Sequence, residues 1–153
     1  METKLHCKMH VLLIEDYLDL GELMVEALAD INVEAHWYVR VRTDAATGAL
    51  LCMDADGREH LPLSQSEQET RKFDCAIVDG YLRGSAMSGL EIVKAFKQKG
   101  LRVLASSGDP GLNRQMVNSG ASASLEKMDL VTLVRKDPER LRSLFSGSRG
   151  TVK

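Results

Sequence analysis

A chain of 153 residues and 16.9 kDa has room for one domain carrying an insertion, but hardly for two. With 44% apolar and 27% charged residues it can bury a core without staples, and a formal net charge of −2 gives no electrostatic case for nucleic acid or a membrane surface. The three cysteines, Cys7, Cys52 and Cys75, show no paired spacing and fit free thiols in a reducing compartment.

Met1 to His10 is polar and lacks the apolar stretch of a signal peptide, and no run approaches a membrane span, so the cytoplasm is the expected location. The first element is the apolar run His10 to Ile14, which ends abruptly in Glu15-Asp16. Its length and branched residues predict a strand buried on both faces. A helix follows, with Asp19 as the expected N-cap, Glu22 three residues on, and Leu20, Leu23, Met24, Ala27 and Leu28 at helical spacing.

A second strand is expected within Val33 to Val41. The third, Cys75 to Val78, ends on Asp79, and Ser88-Gly89-Leu90-Glu91 then signals a capping box for a helix closed by Gly100. The fourth strand, Arg102 to Ala105, ends on Ser106 and Ser107, after which Asp109-Pro110 starts a helix that stops at Gly120. A weaker fifth strand, Ala123 to Leu125, leads into Glu126-Lys127. Asp129 is the expected cap of a last helix, broken or restarted at Pro138. The basic residues Arg135, Lys136, Arg140, Arg142, Arg149 and Lys153 are interrupted by Asp137 and Glu139, as on a solvated helix face.

Alternating short buried strands and amphipathic helices predict an α/β fold: a doubly wound, five-stranded parallel sheet with helices on both faces, in a single domain over 1–153. The stretch 36–72 is too long for a simple connection. Trp37 to Arg42 alternates like a strand, Ala49 to Met53 and Arg58 to Leu63 flank the turn Asp54-Ala55-Asp56-Gly57, and Gln65 to Lys72 reads as a short helix or linker. A β-hairpin insertion between the second and third parallel strands is therefore expected. Trp37 and Tyr38 would either pack it onto the domain or form an edge that pairs with a partner or with a second copy, giving a homodimer. Asp54 to Gly57 lacks the remaining ligand positions of a calcium loop and reads as a turn. His6 and His10 have helical spacing, but His10 adjoins the first strand, so that spacing is no zinc signature.

Ligands of parallel sheets bind outside the carboxyl ends of the strands. Here those ends carry Glu15, Asp16, Asp79, Ser107 and Lys127. A carboxylate can attack a phosphoryl group and carry it as an acyl phosphate, with positioning and cations doing most of the catalysis. Mg²⁺ takes one or two protein carboxylates plus phosphate oxygens. A lysine offsets the charge, and a hydroxyl can bond a phosphoryl oxygen. Ser106 competes with Ser107 for that hydroxyl role, and strand alternation favours Ser107.

These residues resemble the receiver domain of two-component response regulators, the CheY-like (flavodoxin-like) fold. The matching pieces are Leu12-Leu13-Ile14-Glu15-Asp16, Ile77-Val78-Asp79, Met87-Ser88-Gly89-Leu90-Glu91, Leu104-Ala105-Ser106-Ser107-Gly108, and Gly120-Ala121-Ser122 leading to Lys127. The resemblance implies that Asp79 accepts a phosphoryl group from a phosphohistidine on a histidine kinase or histidine phosphotransfer protein. It implies Mg²⁺ or Mn²⁺ held by Glu15, Asp16, Asp79 and the backbone carbonyl of Tyr81, with Ser107 as switch hydroxyl and Lys127 as phosphate contact. The sequence departs from the family pattern at Arg83, where proline is common, in a longer loop after Asp79, at Ser124, where an aromatic is common, and at Met128, where proline is usual.

Too little chain follows Lys127 for an output domain, so the expectation is a stand-alone receiver that signals to a downstream protein target by contact, with no nucleic acid or membrane partner. It would be no enzyme beyond its own phosphorylation and dephosphorylation. The alternative is a receiver-like interaction scaffold that works without phosphorylation. A haloacid-dehalogenase-like phosphatase would need a second aspartate two residues after the nucleophile, where Tyr81 stands.

Overall fold

The computed structural model describes residues 7–63 and 72–147. Residues Val11 to Ile14 of β1 (Met9–Ile14) are almost wholly buried, as their continuous apolar run requires of a strand covered on both faces. With β2 (Val33–Tyr38), β6 (Cys75–Val78), β7 (Val103–Ala105) and β8 (Ala123–Ser124) it forms a parallel sheet of order β2-β1-β6-β7-β8. Counting only its own strands, that is the doubly wound order 2-1-3-4-5.

Strand alternation divides the core in two. Val11, Leu13, Cys75, Ile77 and Leu104 face α1 (Leu18–Ala29), α4 (Lys127–Lys136) and α5 (Pro138–Ser146) through Met24, Leu28, Leu130, Leu141 and Phe145. Leu12, Ile14, Ala76, Val78 and Val103 face α2 (Gly89–Gln98) and α3 (Pro110–Asn118) through Ile92, Val93, Phe96 and Met116. The second face is completed by Val41, Leu50, Cys52 and Leu63, which come from the insertion.

That insertion is a three-stranded antiparallel sheet, β3 (Arg40–Thr43), β4 (Leu50–Met53) and β5 (Glu59–His60), rather than a single hairpin. The turn Asp54 to Gly57 joins its last two strands as anticipated: Asp54 Oδ1 accepts the N–H groups of Asp56 and Arg58, and Asp54 Oδ2 meets His60 Nε2 at 2.7 Å. β2 runs on through Tyr38, so Trp37 and Tyr38 lie in the parallel sheet and not in the inserted one. The chain changes sheets at Val39, whose N–H donates to Met53 O. The polar stretch 65–72 lies outside the described residues apart from Lys72, as do His6, Arg149 and Lys153.

Local signals place three helix starts. Ser88 and Glu91 form a reciprocal capping box, Asp109 accepts from Gly111 and Leu112 N–H ahead of Pro110, and Asp137 caps α5 at Pro138. Two expected caps are not caps. α1 begins at Leu18 behind Tyr17, and Asp19 sits inside its first turn, because the Glu15 carboxylate takes the Tyr17 N–H and tightens the strand-to-helix turn. α4 begins at Lys127 behind Glu126, whose carbonyl already accepts from the N–H groups of Asp129 and Leu130, so Asp129 too lies inside. Arg142 leaves the solvated basic face: its guanidinium donates to the carbonyls of Ile31 and Cys7, tying α5 to the start of the sheet.

Two glycines mark close approaches. A Cβ on Gly21 would run into the Trp37 indole, and one on Gly89 would lie 2.6 Å from the carbonyl oxygen of Asp79 and 2.7 Å from the Gly80 Cα. The second contact is with backbone, which cannot rotate aside, so α2 seats against the end of β6 only through a glycine. Gly89→Ala is expected to destabilise the fold by about 2 kcal/mol or more despite alanine's better helix propensity, whereas Gly108→Ala, facing open space, is neutral or mildly stabilising. Urea denaturation of the two variants checks this; equal midpoints would mean that the Gly89 contact is not tight.

Candidate functional site

The carboxyl ends of β1 and β6 lie side by side, since Ile14 pairs with Val78 and the Asp79 N–H donates to Ile14 O. Glu15 and Asp79, the next residues, are therefore neighbours, and both are all but buried, at 1% and 2% exposure. Ligand oxygens of Glu15, Asp16 and Asp79 all lie within 4.8 Å of one another. From the start of α4, Lys127 Nζ donates to Asp79 Oδ2 at 3.0 Å and to Glu15 Oε2 at 3.3 Å. Four of the residues singled out in the sequence thus meet in one pocket.

The electrostatics follow from burial. Desolvation, then the negative charge of Asp79, push the Glu15 carboxyl up to about 7, against the Tyr17 N–H and the Lys127 ammonium. Desolvation also raises Asp79 above the ordinary carboxylate range; Lys127 and the Tyr81 N–H oppose it, and Asp16 adds to it. Burial disfavours the Lys127 ammonium, but its hydrogen bond to Asp79 and the charges of Asp79 and Glu15 outweigh that, and its pKa rises. One lysine does not neutralise three carboxylates. A hard cation fits this all-oxygen donor set and would offset the burial and repulsion that raise the Glu15 carboxyl.

Several supports had no local sequence signal. Trp37 Nε1 donates to the Glu15 carbonyl at 2.8 Å, anchoring the end of β1 from β2. Arg83 binds Asp16 Oδ2 twice, through its backbone N–H at 2.9 Å and its Nε at 3.4 Å. The Tyr81 hydroxyl donates to Asp109 Oδ2 at 3.2 Å, linking the loop after Asp79 to the cap of α3. Its N–H approaches Asp79 Oδ1 at 3.3 Å.

β7 ends at Ala105, so the alternation that ranked Ser107 above Ser106 extends over neither serine. Ser107 is fully buried and held by Asn113 on both sides of its backbone: Asn113 Oδ1 accepts the Ser107 N–H, and Asn113 Nδ2 donates to the Ser107 carbonyl. Its Oγ accepts from the Asp109 N–H at 3.1 Å. The buried Ser106 Oγ has no hydrogen-bond partner among the described residues. Ser124 and Met128 are both exposed.

No protein-family model matches this sequence, and no curated protein resembles it significantly. Solved structures do. NtrX from Brucella abortus superposes with a TM-score of 0.60 at 20% identity, over 90% of this chain, which spans only 28% of the length of that one. A CheY-like response regulator receiver domain protein from Methanospirillum hungatei JF-1 gives 0.58 at 16% identity, over 93% of this chain and 100% of its own. The signal receiver domain of NarL from Mycobacterium tuberculosis gives 0.58 at 23%, over 92% and 98%. At such identities the likeness is one of architecture, and the architecture is that of a response-regulator receiver domain.

Proposed function

We propose that this protein is a phospho-acceptor receiver of a two-component phosphorelay, taking a phosphoryl group onto Asp79 from a phosphohistidine on a kinase or phosphotransfer protein. The observation that carries this reading is the buried Asp79 carboxylate with Lys127 at 3.0 Å and two further carboxylates within metal-sharing distance. An Asp79 oxygen attacks phosphorus, the P–N bond breaks, the imidazole leaves and takes up a proton, and water later hydrolyses the acyl phosphate. Glu15, Asp16, Asp79 and the Tyr81 carbonyl would hold Mg²⁺ or Mn²⁺, which supplies positive charge to the phosphoryl oxygens. Lys127 holds Asp79 in position and offsets charge on the phosphoryl group. Ser107 is the hydroxyl proposed to bond it, with the unpartnered Ser106 Oγ as the rival.

The signal would pass by contact to a downstream protein target. Among the described residues no helix is long and apolar enough to cross a membrane. A second reading, a scaffold that works without phosphorylation, is favoured by one observation: Arg83 already occupies Asp16, so metal entry must displace that contact.

Incubation with phosphoramidate and Mg²⁺ is expected to add one acid-labile phosphoryl group to the wild type and none to Asp79→Ala, read by intact mass. An unmodified wild type would leave the scaffold reading standing.

The pocket also sets a pH dependence. Glu15 and Asp79 hold protons more tightly in the folded chain than in the unfolded one. For Glu15, that contribution to the stability of the metal-free protein is complete below the ordinary 4.5 and is lost as the pH rises to about 7. A cation needs the ionised carboxylates, so Mg²⁺ affinity should fall about tenfold per pH unit below 7. Trp37, the single tryptophan, touches the Glu15 carbonyl and is a built-in fluorescence reporter for the titration. Equal affinity at pH 5.5 and 8 would take Glu15 out of the metal set.

Lys127→Met removes the cation from two buried carboxylates. We expect a loss of about 3 kcal/mol at pH 8 that shrinks at pH 5, where the Glu15 carboxyl is protonated, together with impaired phosphorylation. Thermal melts at the two pH values, beside the phosphoramidate assay, separate the structural part from the chemical one.

A further inference from the structure

A second cluster lies toward the amino ends of the strands, away from the acidic pocket. His10 on β1 stands opposite Glu34 on β2, and Leu12 opposite His36, so His10, Glu34 and His36 share one sheet face. Their ligand atoms converge. His10 Nδ1 and His36 Nε2 are 3.1 Å apart, His10 Nδ1 and Glu34 Oε1 3.9 Å, and His36 Nε2 and Glu34 Oε2 3.7 Å. Atoms bound at about 2.0–2.1 Å to a tetrahedral ion stand about 3.3 Å from one another; the two nitrogens are close to that spacing, and one carboxylate oxygen of Glu34 lies within 4.8 Å of both.

We propose that His10, Glu34 and His36 form a site for a divalent transition-metal ion, with zinc the best match, separate from the acidic pocket. Two imidazoles and one carboxylate are a donor set for such ions and a poor one for Mg²⁺ or Ca²⁺, which take oxygen. The set leaves a fourth, open position for water or a ligand from another molecule. The ring contact, nitrogen to nitrogen at 3.1 Å, can hold only one proton between its two atoms. His10 can carry the shared proton on Nε2 instead, which frees both facing lone pairs without net proton loss.

The surroundings allow entry and hold the ligands. The three side chains are 33%, 48% and 23% exposed in chain order. The Phe73 ring meets the His36 ring edge-on, and the Asp74 carboxylate accepts the His10 backbone N–H, so the segment leading into β6 holds one ring and the backbone of the other. Lys8 lies 3.6 Å from Glu34 Oε1 and is the competing cation that a metal would displace. A bound ion would clamp the edge strand β2 to β1, a staple across the start of the sheet.

The test is a Zn²⁺ titration against a chromophoric chelator, with saturating Mg²⁺ present to fill the acidic pocket, on wild type, His36→Gln, Glu34→Gln and Asp16→Asn. The expected result is one Zn²⁺ per chain in the wild type and in Asp16→Asn. At least tenfold weaker binding is expected in His36→Gln and Glu34→Gln, and Zn²⁺ should raise Tm by several degrees only where it binds tightly. Glu34 is half-exposed, so its variant should fold even if His36→Gln does not. Failure of the wild type to bind Zn²⁺, binding unchanged in Glu34→Gln, or binding lost in Asp16→Asn alone would each overturn the site.

Discussion

The Lys127 ammonium, lodged between two buried carboxylates, is the contact on which the pocket depends. Burial by itself would drive Glu15 and Asp79 to hold protons, and a protonated Asp79 is no nucleophile. The lysine works against that without overcoming desolvation, the largest effect at both groups, and at Asp79 the charge of Asp16 adds to it. The surplus negative charge makes the pocket both a poor resting place for bare carboxylates and a ready receptor for a cation. Burial and the ionised state of the carboxylates pull in opposite directions at the same oxygens.

Two departures from the usual receiver pattern turn out to be parts of one structure. The longer loop after Asp79 docks on the inserted sheet: the Val41 N–H donates to Ser85 Oγ, Ser85 Oγ donates to Val41 O, and the Met87 N–H reaches the same carbonyl. Gly84 approaches the Arg40 guanidinium. The insertion thus completes one face of the core and also holds the loop that carries Tyr81 and Arg83. A change at Asp79 is mechanically connected to the inserted sheet by this loop and to α3 by the Tyr81–Asp109 hydrogen bond, whereas Ser124 and Met128 stand exposed.

Much of this was legible in the chain because the strands of a parallel sheet are buried on both faces and read as uninterrupted apolar runs with polar ends. Ser88 and Asp109 announced their helices because caps act over three or four residues, and Pro138 marked the restart that gives α5. The rest depended on partners distant in sequence. Trp37 to Arg42 alternates without a break, and only the pairing of Val39 with Met53 shows where one sheet yields to the next. Asp19 and Asp129 have the right chemistry for caps, but tight turns from the strand ends start their helices earlier. Asn113 clasps Ser107 from within a helix, and His10 meets His36 only through the register of β1 and β2. No window along the sequence contains those pairs.

The ion pair between Lys127 and Glu15 joins residues 112 positions apart, with β6 and β7 laid down between them in the sheet. Contacts of such separation form late, after the loop-closure entropy of the whole chain has been met. A chain cleaved ahead of α4, or one still emerging from synthesis, would bring Glu15 and Asp79 together without their cation, and burial would then favour their protonated forms still further. The pocket is therefore complete only once α4 has joined the sheet, however early its two carboxylates meet.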